Sequence, residues 1–546
     1  MTDVLVVGGG HNGLVCAHHL ASAGLSVRVL ERRAVVGGAA VTEEFHPGFR
    51  NSVASYTVSL LDPGVIRAMD LPRHGLRIVE RRMQNFLPLP DGRALEAGPG
   101  RTRASLARFS TRDVEALDAY EARLDAVVDL LRVLVGRTPP NVTEGGLLAA
   151  LPQLWRAGAL GRQVAGLPME TRRELLEIFT ASAADYLDRF FESEPIKALF
   201  GFDAVVGNFA SPYHPGTAYV LAHHCFGEVN GKKGVWGHAI GGMGAITQAM
   251  RAACLEAGVA IETGAGVREI LVEKGRAVGA VTEDGRVHRA GRVAASVNPK
   301  LLFERLVDPA VLPADFRERI RRYKCGSGTF RMNVALSELP SFTARPGREA
   351  ADHHTAGIVI APSLAYMDRA HADARAHGWS RAPIVEMLIP STLDDSLAPE
   401  GAHVASLFCQ HVLPELPADF PGGASWDAHE ETVADLMIAT VDAHAPGFAA
   451  SVIARQVLSP AGLEREFGLI GGDIFHGALS LGQIFSARPV LGHADHRSPL
   501  PGLYMCGSGT HPGGGVTGLP GRNAAREILR DAKRREPLSR KGEGQG

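Results

Sequence analysis

The chain has almost no net charge, few aromatic rings and no closely spaced cysteines, and each shortage removes a class of function. Lysine and arginine number 57 against 59 aspartates and glutamates, a formal balance of -2 over 546 residues. No long-range field is therefore available to gather nucleic acid or another polyanion. The six cysteines, Cys16, Cys225, Cys254, Cys325, Cys409 and Cys506, never approach C-x-x-C spacing. That excludes a locally encoded zinc site and a dithiol redox centre, leaves no metal site to expect, and suits a reducing compartment. No apolar run reaches the roughly 18 residues a membrane-spanning helix needs. Between Met1 and the apolar Val4-Leu5-Val6-Val7 there is no room for a charged leader and a cleavable apolar segment. The expected location is the cytoplasm, with an organelle or the periphery of a membrane left open. Aromatic residues make up only 6 %, which gives no encouragement to an aromatic cage around a substrate.

What is present is ordinary globular composition, 45 % hydrophobic and 21 % charged, in a chain too long for one core. Two interwoven domains are expected, with a disordered polar tail over about Arg534 to Gly546. The strongest local signal lies at the start. Asp3 to Val7 reads as a buried strand, and Gly8-Gly9-Gly10-His11-Asn12-Gly13 follows at once, matching G-x-G-x-x-G through Gly8, Gly10 and Gly13. A helix with an apolar face follows, closed by Gly24 in a positive-φ conformation, and a second strand, Leu25 to Leu30, ends in Glu31.

Each residue type has a task in such a unit. Gly8 permits the tight turn, Gly10 admits a pyrophosphate close to the backbone with His11 and Asn12 opening the helix beside it, and Gly13 lets helix and strand pack closely. Phosphates then sit at a helix N-terminus, where unpaired N–H groups and the dipole favour negative charge. Glu31, 18 residues beyond Gly13, is placed to accept hydrogen bonds from a ribose and to repel a 2′-phosphate. A second glycine pair, Gly37-Gly38, comes soon after Glu31-Arg32 and is followed by Ala39. A releasable NAD has no need of it, whereas an extended FAD requires a second close backbone approach, so FAD is the expected cofactor.

These residues, together with Gly502-Leu503-Tyr504-Met505-Cys506-Gly507 and Ser508-Gly509-Thr510-His511-Pro512-Gly513-Gly514-Gly515, resemble the phytoene desaturase (carotenoid oxidoreductase) family of FAD enzymes. Within it the match is to the branch holding the pyridine nucleotide-disulphide oxidoreductase domain-containing protein 2 group and the oxygen-dependent carotene ketolases. Segments Ser211 to Gly216, Trp236 to Gly244 and Gly471 to His476 carry the same likeness, so it spans nearly the whole chain.

The resemblance implies an α/β fold: a discontinuous Rossmann-like FAD/NAD(P)-binding domain with an inserted α+β substrate domain. The expected parts are FAD-binding at 1–68, 235–300 and 485–534, a largely helical substrate part at 69–234, a second substrate part at 301–484, and the tail at 535–546. It carries adenine contact to Val267 and flavin contact to Gly507, Gly514, Gly515, Val516 and Thr517. The residues themselves add that Gly513 to Gly518 opens a helix, whose N-terminus can stabilise negative charge developing on a flavin. Asp113 to Val135 and Glu170 to Phe191 have the periodicity of core-facing helices, with membrane docking as the alternative.

The expected reaction is dehydrogenation or desaturation of a small hydrophobic substrate, an isoprenoid among the candidates, by hydride transfer to flavin N5. Reoxidation would be by oxygen, a quinone-type acceptor or another oxidant. The cofactor carries the difficult step, so no catalytic triad is expected. His476 and His511 are the side-chain candidates, because imidazole exchanges protons near neutral pH, though in a chain with 22 histidines either could be a packing residue. Asp473 and Arg522 could orient the cofactor. Amine oxidation, carotene ketolation and a structural role for FAD stand as alternatives. Disulphide chemistry is rejected for want of a cysteine pair, and peripheral membrane contact and oligomerisation stay open.

Overall fold

The apolar run Thr2–Val7 forms the middle of a parallel sheet, with four of its six residues fully buried. In this computed structural model, which describes residues 2–141, 143 and 147–535, the strand pairs in parallel with Val27–Leu30 on one side and Val287–Ala295 on the other. Ala260–Glu262 and Leu503–Met505 extend the parallel layer at its two ends. A meander, Val267–Glu273 and Arg276–Thr282, joins Val287–Ala295 antiparallel. One face of the layer is covered by the helices His11–Ser22, Met243–Glu256 and Leu519–Arg535, and its core includes Val4, Val6, Leu14, Ala17, Ile246 and Ile528. The other face carries Leu5, Val7 and Val293 against Phe303 and Phe316. Gly24 adopts φ +89° just beyond the first helix, as expected.

A second sheet of seven strands runs in the order Val452–Leu458, Thr329–Leu336, His403–Val412, Trp379–Leu388, Gly357–Ile360, Asn85–Pro88, Ala94–Ala97. Its strands Thr329–Leu336 and His403–Val412 are buried almost throughout, and Leu364–His377 and Glu430–Asp442 pack on the sheet. The segment from Thr111 to His224 is helical: Thr111–Val135, Leu147–Ala165, Met169–Thr180, Ala183–Asp188, Glu194–Phe202 and Thr217–His224. The expected helix from Glu170 to Phe191 is two helices, because Ser182 leaves helical geometry and its hydroxyl accepts from the Asp185 amide as an N-cap.

Strands of the parallel layer and its meander come from 1–68, 235–300 and 485–534, and those of the second sheet from 69–234 and 301–484. One boundary shifts. Residues Leu301–Leu306 and Ala314–Arg321 pack on the nucleotide layer through Leu302, Phe303, Phe316 and Ile320, so that layer continues past residue 300. At the other end, Arg534 and Arg535 finish the last helix rather than opening a tail, and the remainder of the expected tail lies outside the described residues. Among the described residues no helix is long and apolar enough to cross a membrane, and no group of three or more His, Cys, Asp or Glu side chains could hold a metal ion.

Candidate functional site

The glycine loop after the first strand is held by close packing. Gly8 sits at φ +96°, and a Cβ on Gly13 would lie 2.1 Å from the Gly8 carbonyl oxygen. Helix Leu519–Arg535 meets the same place from the other end of the sequence: a Cβ on Gly521 would lie 2.1 Å from the Asn12 carbonyl oxygen. The two helix N-termini therefore converge, and neither first turn contains an acidic residue. Gly37 lies against the first loop, donating from its amide to the Gly9 carbonyl at 2.9 Å and pairing with Gly10 in a parallel bridge. A Cβ on Gly38 would come 3.3 Å from the Gly10 Cα.

These elements line one end of a cavity of about 480 Å³, a size suited to an organic ligand. Gly8, Gly10, His11, Asn12, Glu31, Arg32, Gly37, Gly38, Ala39 and Val267 all line it, as do Gly515, Val516 and His476 from the C-terminal half. Glu31 is buried and held at both oxygens: the Gly9 amide donates to one at 2.7 Å and the Arg33 amide to the other at 2.8 Å. Its remaining lone pairs can accept from a ribose. The residues fit a dinucleotide on two further observations. Asn12 Oδ1 and His11 Nε2 are buried with no partner in the protein. The His11 ring also bonds the Gly515 carbonyl, tying the two glycine loops together.

Five expected residues do not line the cavity. Gly13 supports it from behind, as described. Gly507 packs on a strand end, where a Cβ would meet the Ser296 carbonyl oxygen at 2.6 Å, and Gly514 packs under Phe475, whose Cα a Cβ would approach to 2.4 Å. Thr517 accepts from the Leu519 amide at 3.1 Å and so starts the last helix. His511 is turned away into the core, with Nε2 3.2 Å from the Leu134 carbonyl oxygen. Burial takes both candidate histidines far below their ordinary range, to about 3. His476 reaches the cavity, where burial favours its uncharged ring near neutral pH. Asp473 and Arg522 also serve the framework. Asp473 accepts from the Gly326 and Phe475 amides at 2.8 Å each, and Arg522 pairs with Asp62 at 2.7 Å.

The far end of the cavity was not foreseen. Phe202, Val206, Phe408, Ile474 and Phe475 give it apolar walls, and His224 stacks on Trp236 at 6.5 Å and 15°. Set into these walls are Tyr56, Arg81, Asp203, Arg331 and Glu386. The Tyr56 hydroxyl donates to Glu386 Oε2 at 2.5 Å, and the Arg331 guanidinium lies over the Tyr56 ring at 4.2 Å from its centre. Arg331 is anchored by donation to the Ala54 and Leu407 carbonyls and to Ser406 Oγ. Burial lowers its pKa to about 10, so it keeps its charge, and burial raises the carboxyl of Glu386. Asp203, at the C-terminal end of helix Glu194–Phe202, is raised to about 8 by burial and then by Glu386. The sequence held a signal for two of these: Arg331 and Glu386 are lone charges inside the apolar runs Thr329–Leu336 and Ile384–Leu388, where a buried strand would otherwise be uniformly apolar.

Residues 13–329 match the model of the flavin-containing amine oxidoreductases. The pyridine nucleotide-disulfide oxidoreductase domain-containing protein 2 of Mus musculus is 40 % identical over 97 % of this chain and 94 % of its own. A lycopene-forming phytoene desaturase of Pseudescherichia vulneris is 24 % identical over 95 % of this chain and 97 % of its own. In fold, the chain is similar to the cyclohexylamine oxidase from Brevibacterium oxydans IH-35A, with a TM-score of 0.55 at 14 % identity, over 97 % of this chain and 99 % of that one. The chain belongs to the flavin-containing amine oxidoreductase family, with an α/β FAD-binding fold, and it is an FAD-dependent oxidoreductase.

Proposed function

We propose that the chain dehydrogenates an organic substrate with a largely apolar body, held at the far end of the cavity, and that oxygen or a quinone-type acceptor takes up the electrons. The observation behind this reading is the continuity of one cavity. It runs from Glu31 and Val267, past the glycine loops, to the walls of Phe202, Phe408 and Phe475, so a cofactor laid along it would end beside a substrate-sized apolar space.

In this reading Glu31 takes the ribose, the helix starting at His11 and Gly37-Gly38 take the pyrophosphate, and Gly515 and Val516 abut the flavin. Bound FAD supplies a two-electron acceptor for hydride. The protein's part is to hold the reacting C–H and exclude water, since the described cavity walls carry no cysteine pair and no histidine that charges near neutral pH. The family's relatives include a phytoene desaturase, which supports an isoprenoid body. The test is an anaerobic screen of isoprenoid and amine substrates against the purified holoenzyme, followed at the flavin absorption band. Bleaching by apolar substrates, reversed by air or a quinone, supports the reading. Bleaching by simple amines alone would overturn it in favour of amine oxidation.

A further inference from the structure

The charged groups at the far end of the cavity do not balance. Arg81 and Arg331 face it with two guanidiniums, and Glu386 offers one carboxylate. Asp203 adds little negative charge, because a carboxyl that ionises only near pH 8 is mostly neutral at pH 7. Any proton taken up by Glu386, whose own carboxyl burial pushes up, enlarges the positive excess. Uncompensated charge in an apolar enclosure is costly.

The spacing is equally specific. Arg81 uses Nη2 on Thr57 Oγ1 and makes no ion pair with Glu386. Both groups border a space that Gly357 keeps clear: a Cβ there would come 3.0 Å from Glu386 Oε1, 3.1 Å from Arg81 Nη1 and 3.2 Å from Asn85 Nδ2. Gly357 has no positive φ and lies in the strand Gly357–Ile360, so its backbone conformation does not demand glycine. Glycine is needed there because a side chain would crowd the Glu386 carboxylate and the Arg81 and Asn85 donors, three groups that line the cavity. Asp203, whose carboxyl burial raises to about 8, lines the same wall.

We propose that this end of the cavity is a binding site for the carboxylate of the substrate, with Arg81 as its principal partner and Asn85 as a supporting donor. The inference rests on the proposed dehydrogenation only in taking the occupant of the cavity to be the substrate. The favoured ligand is an organic monoacid with an apolar body, since Phe202, Val206 and Phe408 leave only one polar corner. An ammonium in the same place would add a third positive charge beside two guanidiniums.

The experiment titrates the holoenzyme at pH 7 with three isosteric probes, phenylacetate, 2-phenylethanol and phenethylamine, by calorimetry and by the flavin difference spectrum. Phenylacetate is expected to bind at least about tenfold tighter than either of the others. Arg81→Gln should weaken phenylacetate by about tenfold or more and leave 2-phenylethanol within about twofold, while Arg81→Lys retains part of the affinity. Gly357→Ala, whose Cβ would press on Glu386 Oε1 and Arg81 Nη1 without adding or removing a charge, should weaken phenylacetate as well. Phenylacetate affinity should also fall as pH rises through about 8, where Asp203 ionises beside Glu386, Arg81, Arg331, Tyr56 and His224, and Asp203→Asn should abolish that fall. The proposal is overturned if phenethylamine binds tightest, if the three probes bind alike, if phenylacetate does not bind, or if Arg81→Gln shifts only the flavin spectrum. Calorimetry reads binding without turnover. Carboxylate binding by an enzyme that no organic substrate reduces would therefore sink the dehydrogenase reading alone.

Discussion

The Tyr56 hydroxyl reaches Glu386 at 2.5 Å although 330 positions separate them in the chain. The bond joins the 1–68 part of the chain to the strand Trp379–Leu388 in the middle of the second sheet, so it ties the nucleotide part to the substrate layer at the cavity wall. Tyr56→Phe keeps the ring under Arg331 and removes only the donor. A buried carboxylate that loses a donor costs about 1–3 kcal/mol, so the urea midpoint should fall accordingly while the FAD content per chain stays near that of the parent. Loss of FAD at unchanged midpoint would show that Tyr56 serves the cofactor instead.

Gly13 and Gly158 offer a matched pair. A Cβ on Gly13 meets the Gly8 carbonyl at 2.1 Å, whereas one on Gly158, within Leu147–Ala165, meets nothing within 4 Å. Gly13→Ala should separate the first helix from its strand, cost at least about 1–3 kcal/mol and lower FAD retention through gel filtration. Gly158→Ala should raise stability by about 0.5–1 kcal/mol, because the helix gains propensity with no clash. Equal effects of the two substitutions would refute the packing account of Gly13.

This contrast also shows what can be read from sequence. Gly8, Gly10, Gly13 and Glu31 lie within one strand-loop-helix-strand unit, where spacing alone dictates which atoms meet, and Gly37 follows closely enough to be counted with them. Val267–Glu273 was legible for the same reason, as a short β-rich run with turns on either side. Arg81, Asp203, Arg331 and Glu386 come from four separate elements, and only the closed fold brings them to one corner. His511 misled because a motif fixes neighbourhood along the chain, not the direction in which a ring points. His476 does reach the cavity, but the burial that carries it there, which favours its uncharged ring, could not be read from its motif.

Asp203 makes stability depend on pH with a definite sign. Its carboxyl is raised from 3.8 to about 8 in the folded chain, so the fold holds a proton that the unfolded chain releases near pH 4. Stability from this group is full below that value, falls by up to about 1.4 kcal/mol per pH unit as pH rises, and levels off above about 8. Asp203→Asn cannot ionise and removes the slope. Urea unfolding of both holoenzymes at pH 5 and pH 8 should show the variant gaining on the parent at the higher pH. A stability difference that does not change with pH would mean that Asp203 ionises normally.

Arg488 holds the loop that brings Phe475 and His476 to the cavity. The residue is fully buried, and its guanidinium donates to the carbonyls of Phe475 at 2.7 Å and Ser508 at 2.9 Å, with Gly477, Ala478 and Gln483 at 3.2 to 3.3 Å. Lysine carries the same charge but is a single point donor on a flexible stem and cannot satisfy carbonyls on both sides of a planar fork. Arg488→Lys should therefore strand two or more buried carbonyls at about 1–3 kcal/mol each. The loop should loosen before the sheets do, giving faster amide exchange at residues 474–478 with protection of Thr2–Val7 unchanged. Exchange that accelerates uniformly would assign Arg488 to global stability rather than to this loop. Unchanged exchange with unchanged melting would show that the carbonyls find other donors and that the fork is dispensable.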